Sequence, residues 1–327
     1  MKKTLFLHIG YPKTGTTSIQ QFLTMNEQAL SQIGVLYPKT GRLNNAHYVL
    51  NFSLGIGGYD GDETITSKEE LKTLLVEESN LSDCKTIIIS SEYFVTASNI
   101  QDVRDFFSNF ETKIIVYLRR HDYAFESGFS QSEKTTRNPA WEPDIASYTL
   151  YSILSNSIPY DYLNTLLRWR KVFGDENIIV RPFEKQQNIP DLYSDFLNAV
   201  NIKDSSGFVR PGVSNISFGK ETLMALRIIR KLNLPEKSEH QIINRLFSKD
   251  KTNPAEFYFS PSMRKLVLSK YAPSYKFIAK EFLKRNDGNL FCDMDIKEEH
   301  LATPEPYNVD KVYSRVIDAI TPFIGKK

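Results

Sequence analysis

Apolar residues in the first half of the chain come in two rhythms. Short continuous runs, Thr4-Leu5-Phe6-Leu7-His8, Lys85-Thr86-Ile87-Ile88-Ile89-Ser90, Lys113-Ile114-Ile115-Val116-Tyr117-Leu118 and Glu176-Asn177-Ile178-Ile179-Val180, have the length and β-branched content of strands buried on both faces. Between them, apolar residues recur at helical spacing, as in Ile19, Phe22 and Leu23. The spacing predicts helices over 16–31, Ala46–Leu54, a stretch from Ser67 to Glu78 opened by the capping box Ser67/Glu70, Asn99–Phe110, a stretch capped by Asp122 that runs to Glu133, and Tyr160–Val172 with Leu163, Leu166 and Leu167 inward. Residues 39–65 are rich in Gly and Asn, and 135–147 carry Asn138-Pro139 and Glu142-Pro143, so both read as loop. After Pro190 the pattern turns helical, over about 191–200, 219–232, 239–247, 261–269 and 273–285. Strands alternating with helices predict an α/β fold: a central parallel sheet flanked by helices, with a mostly helical C-terminal third. No linker-like composition divides the chain, which predicts one domain over 1–327, a core of 1–190 and a helical extension of 191–327.

Composition narrows the class without choosing a function. The 327 residues are 41% hydrophobic and 24% charged, a globular balance able to bury a large core. A net charge of +2 gives no bulk field toward nucleic acid or a membrane surface, so only local basic sites matter. The two cysteines, Cys84 and Cys292, form neither a disulfide framework nor a metal-ligand pattern and suit a reducing compartment. Met1-Lys2-Lys3 imitates the start of a signal peptide, but His8 and Gly10 interrupt the apolar run that follows. With no apolar run of about 18 residues to span a membrane, a cytoplasmic protein is expected.

The chemistry centres on Gly10-Tyr11-Pro12-Lys13-Thr14-Gly15-Thr16-Thr17-Ser18, set between the first strand and the first helix. A helix N-terminus offers unpaired N–H groups and the positive end of the helix dipole, a ready anion site. Gly10 and Gly15 allow the tight turn and close backbone approach to a phosphate; Thr16, Thr17 and Ser18 add hydroxyls. The spacing resembles a Walker A loop, yet Thr16 stands where the Walker lysine belongs, and the lysine is Lys13, between the glycines. A second cation, Arg119, ends the third strand, with Arg120 as the alternative, and Ser127 follows eight residues on in the next helix. An arginine at a strand's C-terminal edge and a helical hydroxyl can together clamp a phosphate.

Pro12-Lys13-Thr14-Gly15-Thr16-Thr17 resembles the 5′-phosphosulfate loop of P-loop sulfotransferases that use 3′-phosphoadenosine 5′-phosphosulfate (PAPS), and Arg119 with Ser127 resembles their 3′-phosphate site. Tyr162-Leu163 to Trp169, Phe173-Gly174 and Val180-Arg181-Pro182-Phe183-Glu184 are similar to a recurring segment of bacterial, carbohydrate-type members. The resemblance implies a single P-loop-type α/β domain. It also implies sulfuryl transfer from PAPS, without a metal, to a hydroxyl or amine of a carbohydrate or glycolipid. Lys13 is then the candidate for stabilising charge at the leaving phosphate, and Pro12, Lys13, Thr14, Gly15, Thr16, Thr17, Ser18, Arg119 and Ser127 hold the nucleotide. The 210–217 loop, with Asn215 and Ser217, is a candidate lid, although these residues serve equally as helix caps.

A hydroxyl acceptor needs a general base. Glu92, just past the second strand, and His47, in the loop after the first helix, are the two candidates. Glu92 stands near where cytosolic family members carry a catalytic histidine; a salt bridge to Arg119 or Lys13 is its structural alternative. His47 has the better ordinary pKa for the task and could instead be a loop histidine bonded to backbone. Trp141, Tyr148, Tyr151 and Tyr160 could stack on sugar rings or pack in the core, and Arg227, Arg230 and Lys231 read as a solvated basic stripe. A small-molecule kinase using Mg-ATP is the competing reading. ATP lacks the 3′-phosphate, and the displaced lysine argues against the kinase.

Overall fold

The computed structural model describes residues 2–57, 66–156, 158–212, 218–250, 257–297 and 308–323. Five strands, β1 (Thr4–His8), β2 (Val35–Leu36), β3 (Thr86–Ser90), β4 (Glu111–Leu118) and β5 (Ile178–Pro182), form one sheet in the order β2-β3-β1-β4-β5. Every pairing is parallel, so the chain must cross over between strands, and helices make the crossings. This is the α/β architecture the alternating pattern predicts. β1 thus lies between β3 and β4, with His8 level with Ser90 and with Ile115, and β4 runs three residues further to Leu118. The C-terminal edge is where open α/β sheets take their ligands.

Along β1, β3 and β4 successive residues are buried on both faces, which explains their uninterrupted apolar runs. One face, with Phe6, Ile88, Ile115 and Tyr117, packs against α1 (Thr16–Met25) through Ile19, Phe22 and Leu23 and against α9 (Leu192–Ala199) through Phe196 and Leu197. α8 (Tyr162–Phe173) packs on β4 and β5 and carries α5 (Ile100–Phe106) against it. Its buried line is Tyr162, Thr165, Leu166, Trp169 and Phe173, with Leu163 and Leu167 at the margin.

Where helix ends differ from the sequence pattern, side chains account for the difference. The first helix stops at Met25 and a second, α2 (Glu27–Gln32), follows, because the Asn26 amide leaves the helix ladder. Its Nδ2 donates to the carbonyls of Phe22 (2.7 Å) and Val209 (2.8 Å), and its Oδ1 accepts from Val209 N (2.8 Å). α3 (Tyr48–Ser53) and α4 (Lys68–Leu81) lie where expected, the latter with the Ser67 hydroxyl accepting from Glu70 N at 3.2 Å. α7 (Ile145–Ser155) is a helix the sequence reading does not contain. The two helices expected over 261–285 are one, α12 (Pro261–Glu281), which runs through Pro273.

Contacts divide the described chain into two compact units. The first comprises 1–120, 156–213 and 271–293 and holds the sheet; the second comprises 121–155, 214–270 and 294–327. This partition follows several breaks rather than a single one at 190. The second unit contains α6 (His121–Thr135), α7, α10 (Lys220–Lys231), α11 (Glu236–Ser248), the first part of α12 and α13 (Val309–Ile320). Asp122 lies inside the first turn of α6 rather than ahead of it. It is fully buried and accepts from Arg264 Nη1 at 2.5 Å, while Arg264 Nη2 donates to Glu126 at 2.6 Å. Arg227 and Arg230 are not a solvated stripe either. Arg227 binds the Glu133 carboxylate (2.8 Å), and Arg230 donates to the carbonyls of Glu133, Lys134 and Thr136, closing the C-terminal end of α6. Trp141 and Tyr148 pack edge to face at 5.2 Å, and the Trp141 indole N–H donates to Glu133 at 2.6 Å. With Tyr160 in the first unit they are buried core, and Tyr151 lies against Trp141. The three buried rings offer no sugar-stacking face, whereas Tyr151 keeps 37% of its surface exposed.

Candidate active site

The loop after β1 is held open by backbone geometry. Gly10 (φ 56°), Lys13 (φ 66°) and Gly15 (φ 78°) all take the left-handed conformation. At Gly10 a Cβ would stand 3.0 Å from Glu92 Cα, and at Gly15 one would strike Leu192 Cδ2 and lie 2.9 Å from Phe183 Cε2. Only glycine meets both demands. Lys13 bears a side chain in the same region, a conformation that is uncommon outside glycine and has to be held by its surroundings. Part of the hold is visible: Arg119 Nη1 donates to the Lys13 carbonyl at 2.9 Å.

Gly15 caps α1 without a side-chain hydrogen bond, and the first intrahelical bond runs from Ile19 N to Gly15 O at 3.0 Å. The N–H groups of Thr16, Thr17 and Ser18 therefore have no partner inside the helix, and the first turn carries no acid that would repel an anion. Hydroxyls divide their work. Those of Thr14 and Thr16, both buried, donate to the Tyr11 carbonyl at 2.6 and 3.2 Å. They brace the turn and are not the outward donors the sequence pattern suggests. Thr17 is exposed, and Ser18 and Pro12 are half-buried.

Glu92 opens a short 3-10 turn, Glu92–Thr96, that is stitched to the first strand and loop by Ser91 N to His8 O (3.1 Å) and Val95 N to Ile9 O (3.2 Å). Glu92 therefore lies directly against Gly10. Burial pushes its carboxyl above the ordinary range, and the nearby Lys13 ammonium pulls part of the way back. A carboxylate beside a cation at the end of a strand can accept a proton from a bound hydroxyl.

His47 is placed differently. It has no exposed surface, its Nε2 lies 3.0 Å from the Pro38 carbonyl, and its Nδ1 accepts from Ser90 N at 3.2 Å. The His47 backbone N–H donates to Ser90 O at 2.9 Å. Burial pushes its pKa down to about 4. Both ring nitrogens are committed to backbone, so His47 clamps the end of β3, one residue short of Ser91 and Glu92. His8 is also fully buried, its Nδ1 2.9 Å from the Ser90 hydroxyl. Gln20 reaches the same hydroxyl at 3.2 Å.

Of the two strand-end arginines, Arg120 is buried and donates to the Asp293 carbonyl at 2.7 Å, so its geometry is structural. Arg119 is half-buried, lies 5.6 Å over the Phe183 ring and faces the loop through Lys13. Ser127 is half-buried on α6 of the second unit. Asn215 and Ser217 lie outside the described residues. Arg210, ahead of them, is bound to Asp191, Ser194 and the carbonyls of Ser205 and Phe208.

Sequence reasoning gave no role to several residues that build this site. Tyr162 Oη donates to the Arg119 carbonyl at 2.9 Å and packs on Tyr11 with centroids 4.8 Å apart. Phe183 supports both Gly15 and Arg119. Tyr162 and Phe183 fall in segments noted only for resemblance; no local spacing marks their function.

Among the described residues no group of three or more His, Cys, Asp or Glu is placed to hold a metal ion, and no helix is long and apolar enough to cross a membrane. No protein-family model matches the chain. An uncharacterized protein of Archaeoglobus fulgidus is 27% identical over 223 residues, covering 64% of this chain and 57% of that protein, so the match spans less than two thirds of the relative's length. Among solved structures, a sulfotransferase from Alicyclobacillus acidocaldarius aligns with a TM-score of 0.42 and 16% identity, over 72% of this chain and 95% of that one.

Proposed function

We propose that this protein is a PAPS-dependent sulfotransferase that transfers a sulfuryl group to a hydroxyl, or an amine, of a carbohydrate or glycolipid acceptor. The observation that carries the reading is the loop itself. A glycine-capped helix N-terminus with no acid in its first turn follows directly on a lysine held left-handed between two glycines, and Arg119 fixes that lysine's carbonyl. These donors fit a 5′-phosphosulfate: backbone N–H groups of Thr16, Thr17 and Ser18 with the Thr17 and Ser18 hydroxyls at the helix end, and the Lys13 ammonium from the loop. Arg119, at the end of β4, is assigned to the 3′-phosphate. PAPS, when bound, supplies an activated sulfuryl group on a phosphate leaving group.

The residues then divide the work. Glu92 takes the proton of the acceptor hydroxyl as its oxygen bonds to sulfur. The bond from sulfur to the bridging oxygen breaks, and its electron pair stays with the phosphate, where Lys13 offsets the growing charge. Glu92 ends protonated and gives the proton to solvent. His47 holds the peptide that aims Glu92 and does not carry the proton.

Calorimetric titration with adenosine 3′,5′-bisphosphate in EDTA, beside ATP with and without Mg²⁺, tests the reading. Metal-free binding of the bisphosphate, with ATP much weaker, is expected. Preference for Mg-ATP would replace the proposal with a kinase.

A further inference from the structure

Beside Glu92 the chain places three aromatic side chains whose roles the nucleotide chemistry does not explain. Tyr48 and Phe52 stand four residues apart on α3 and so share one face of it. Tyr93 follows Glu92 in the 3-10 turn that packs on α3. The ring centroids of Tyr48 and Tyr93 are 5.3 Å apart, those of Phe52 and Tyr93 5.9 Å, and those of Tyr48 and Phe52 6.4 Å. All three distances lie in the range of favourable aromatic contact. Gly57, at φ 81°, lies under Tyr93, where a Cβ would stand 3.3 Å from the ring. The interplanar angles of 24°, 48° and 60° make a cup rather than a flat wall.

This cluster is not core. Tyr93 keeps 38% of its surface exposed, and Tyr48 and Phe52 are half-buried, whereas Phe94 and Val95, the next residues of the same turn, are sealed. Glu92 is close enough to Tyr48 for its charge to add to burial in holding the Tyr48 hydroxyl neutral, as a hydrogen-bond donor. The group assigned to take the acceptor's proton therefore borders an aromatic cup with an open margin, and the rings come from two elements that pack together.

We infer that Tyr48, Phe52 and Tyr93 form the acceptor subsite, seating the apolar face of a six-membered ring while one hydroxyl of that ring meets Glu92. The inference rests on the sulfuryl-transfer reading and adds to it the class of acceptor. A pyranose, through its C–H face, and an arene both offer this chemistry; an acyclic polyol carries the hydroxyls without the face.

Ligand-observed saturation-transfer NMR on the full chain, saturated with adenosine 3′,5′-bisphosphate, tests it with three probes. Methyl β-D-glucopyranoside and 2-naphthol represent the two ring types, and sorbitol is the acyclic control. At least one ring probe should bind, sorbitol should not, and Tyr93→Ala or Phe52→Leu should weaken that ring probe by about tenfold. Bisphosphate affinity, measured separately on each variant, should stay within twofold of the parent and so report an intact fold and nucleotide site. Which ring binds identifies the acceptor type. If neither ring binds, if sorbitol binds as well, or if the variants bind the rings as the parent does, the subsite is wrong even though the bisphosphate binds. If the bisphosphate itself fails to bind the parent, the underlying reading falls, and this inference with it.

Discussion

A buried carboxyl whose proton is held more tightly than usual sets the pH at which it can act as a base. For Glu92 that shift is upward, so kcat/KM should fall on the acid side with a midpoint above the ordinary 4.5, and rise as the carboxyl ionises. Glu92→Gln should lose about 10²–10⁴-fold in kcat and flatten that limb, which a pH–rate profile would read. Lys13→Ala should fold normally and lose roughly 10²–10³-fold in kcat, with thermal melting as the control. The two buried histidines set a different pH window. His47 and His8 titrate at about 4 and about 3 when folded, below the usual 6.5, so the unfolded chain binds their protons more readily. Their contribution to stability is complete above about pH 6.5 and drains away as pH falls through 4 and then 3. For His47 alone it amounts to about 3 kcal/mol. Urea unfolding between pH 7 and 4 should show this slope, and His47→Gln should reduce it. The sequence could present Glu92 and His47 as equal candidates because both follow recognisable elements. It could not reveal that His47 spends both ring nitrogens on Pro38 and Ser90, since one contact depends on the path of a loop and the other joins positions 43 residues apart.

At the scale of elements, the legible features were those whose cause is local. Three of the strands, β3, β4 and β5, show in uninterrupted Ile and Val and β1 in its apolar run, whereas the two-residue β2 does not show; the Ser67 cap shows in four residues. What stayed hidden depends on distant partners: the break at Asn26 needs Val209, and the fate of Asp122 needs Arg264. α7 was missed because its buried line, Ile145, Tyr148, Thr149 and Ser152, mixes apolar and hydroxyl residues while Leu150 and Leu154 are exposed, so no apolar stripe announces a helix. The junction of β1 and α1 gives the sharpest test at this scale. Gly15→Ala meets two penalties together, a left-handed backbone and a Cβ driven into Leu192 and Phe183. The variant should lose about 2 kcal/mol or more of stability, from conformational cost and steric displacement combined, and denaturant melts would measure it. Bisphosphate affinity should fall further than stability does, because the same residue positions the free N–H groups of α1.

At the scale of the whole molecule, the second unit is organised around a charge with no access to water. Arg264 is fully buried, paired with Asp122 and Glu126 and lined by the rings of Tyr123 and Phe257 at 5.5 and 5.1 Å. Such a set is strongly destabilised when one partner is removed, because the remaining charge stays buried. Asp122→Ala should cost about 3–5 kcal/mol in equilibrium unfolding, far more than an exposed ion pair such as Arg170 with Asp175, whose removal should cost under about 1 kcal/mol.

The two units interleave along the chain, which passes from one to the other at 120/121, 155/156, 213/214, 270/271 and 293/294. During synthesis the 10–18 loop precedes the second unit, yet the last segment of its own unit, 271–293, is made only after most of the second unit has been translated. The sheet unit therefore cannot be complete until the intervening helices have emerged. No single cut in the coding sequence can separate the two units or hand either one to another protein.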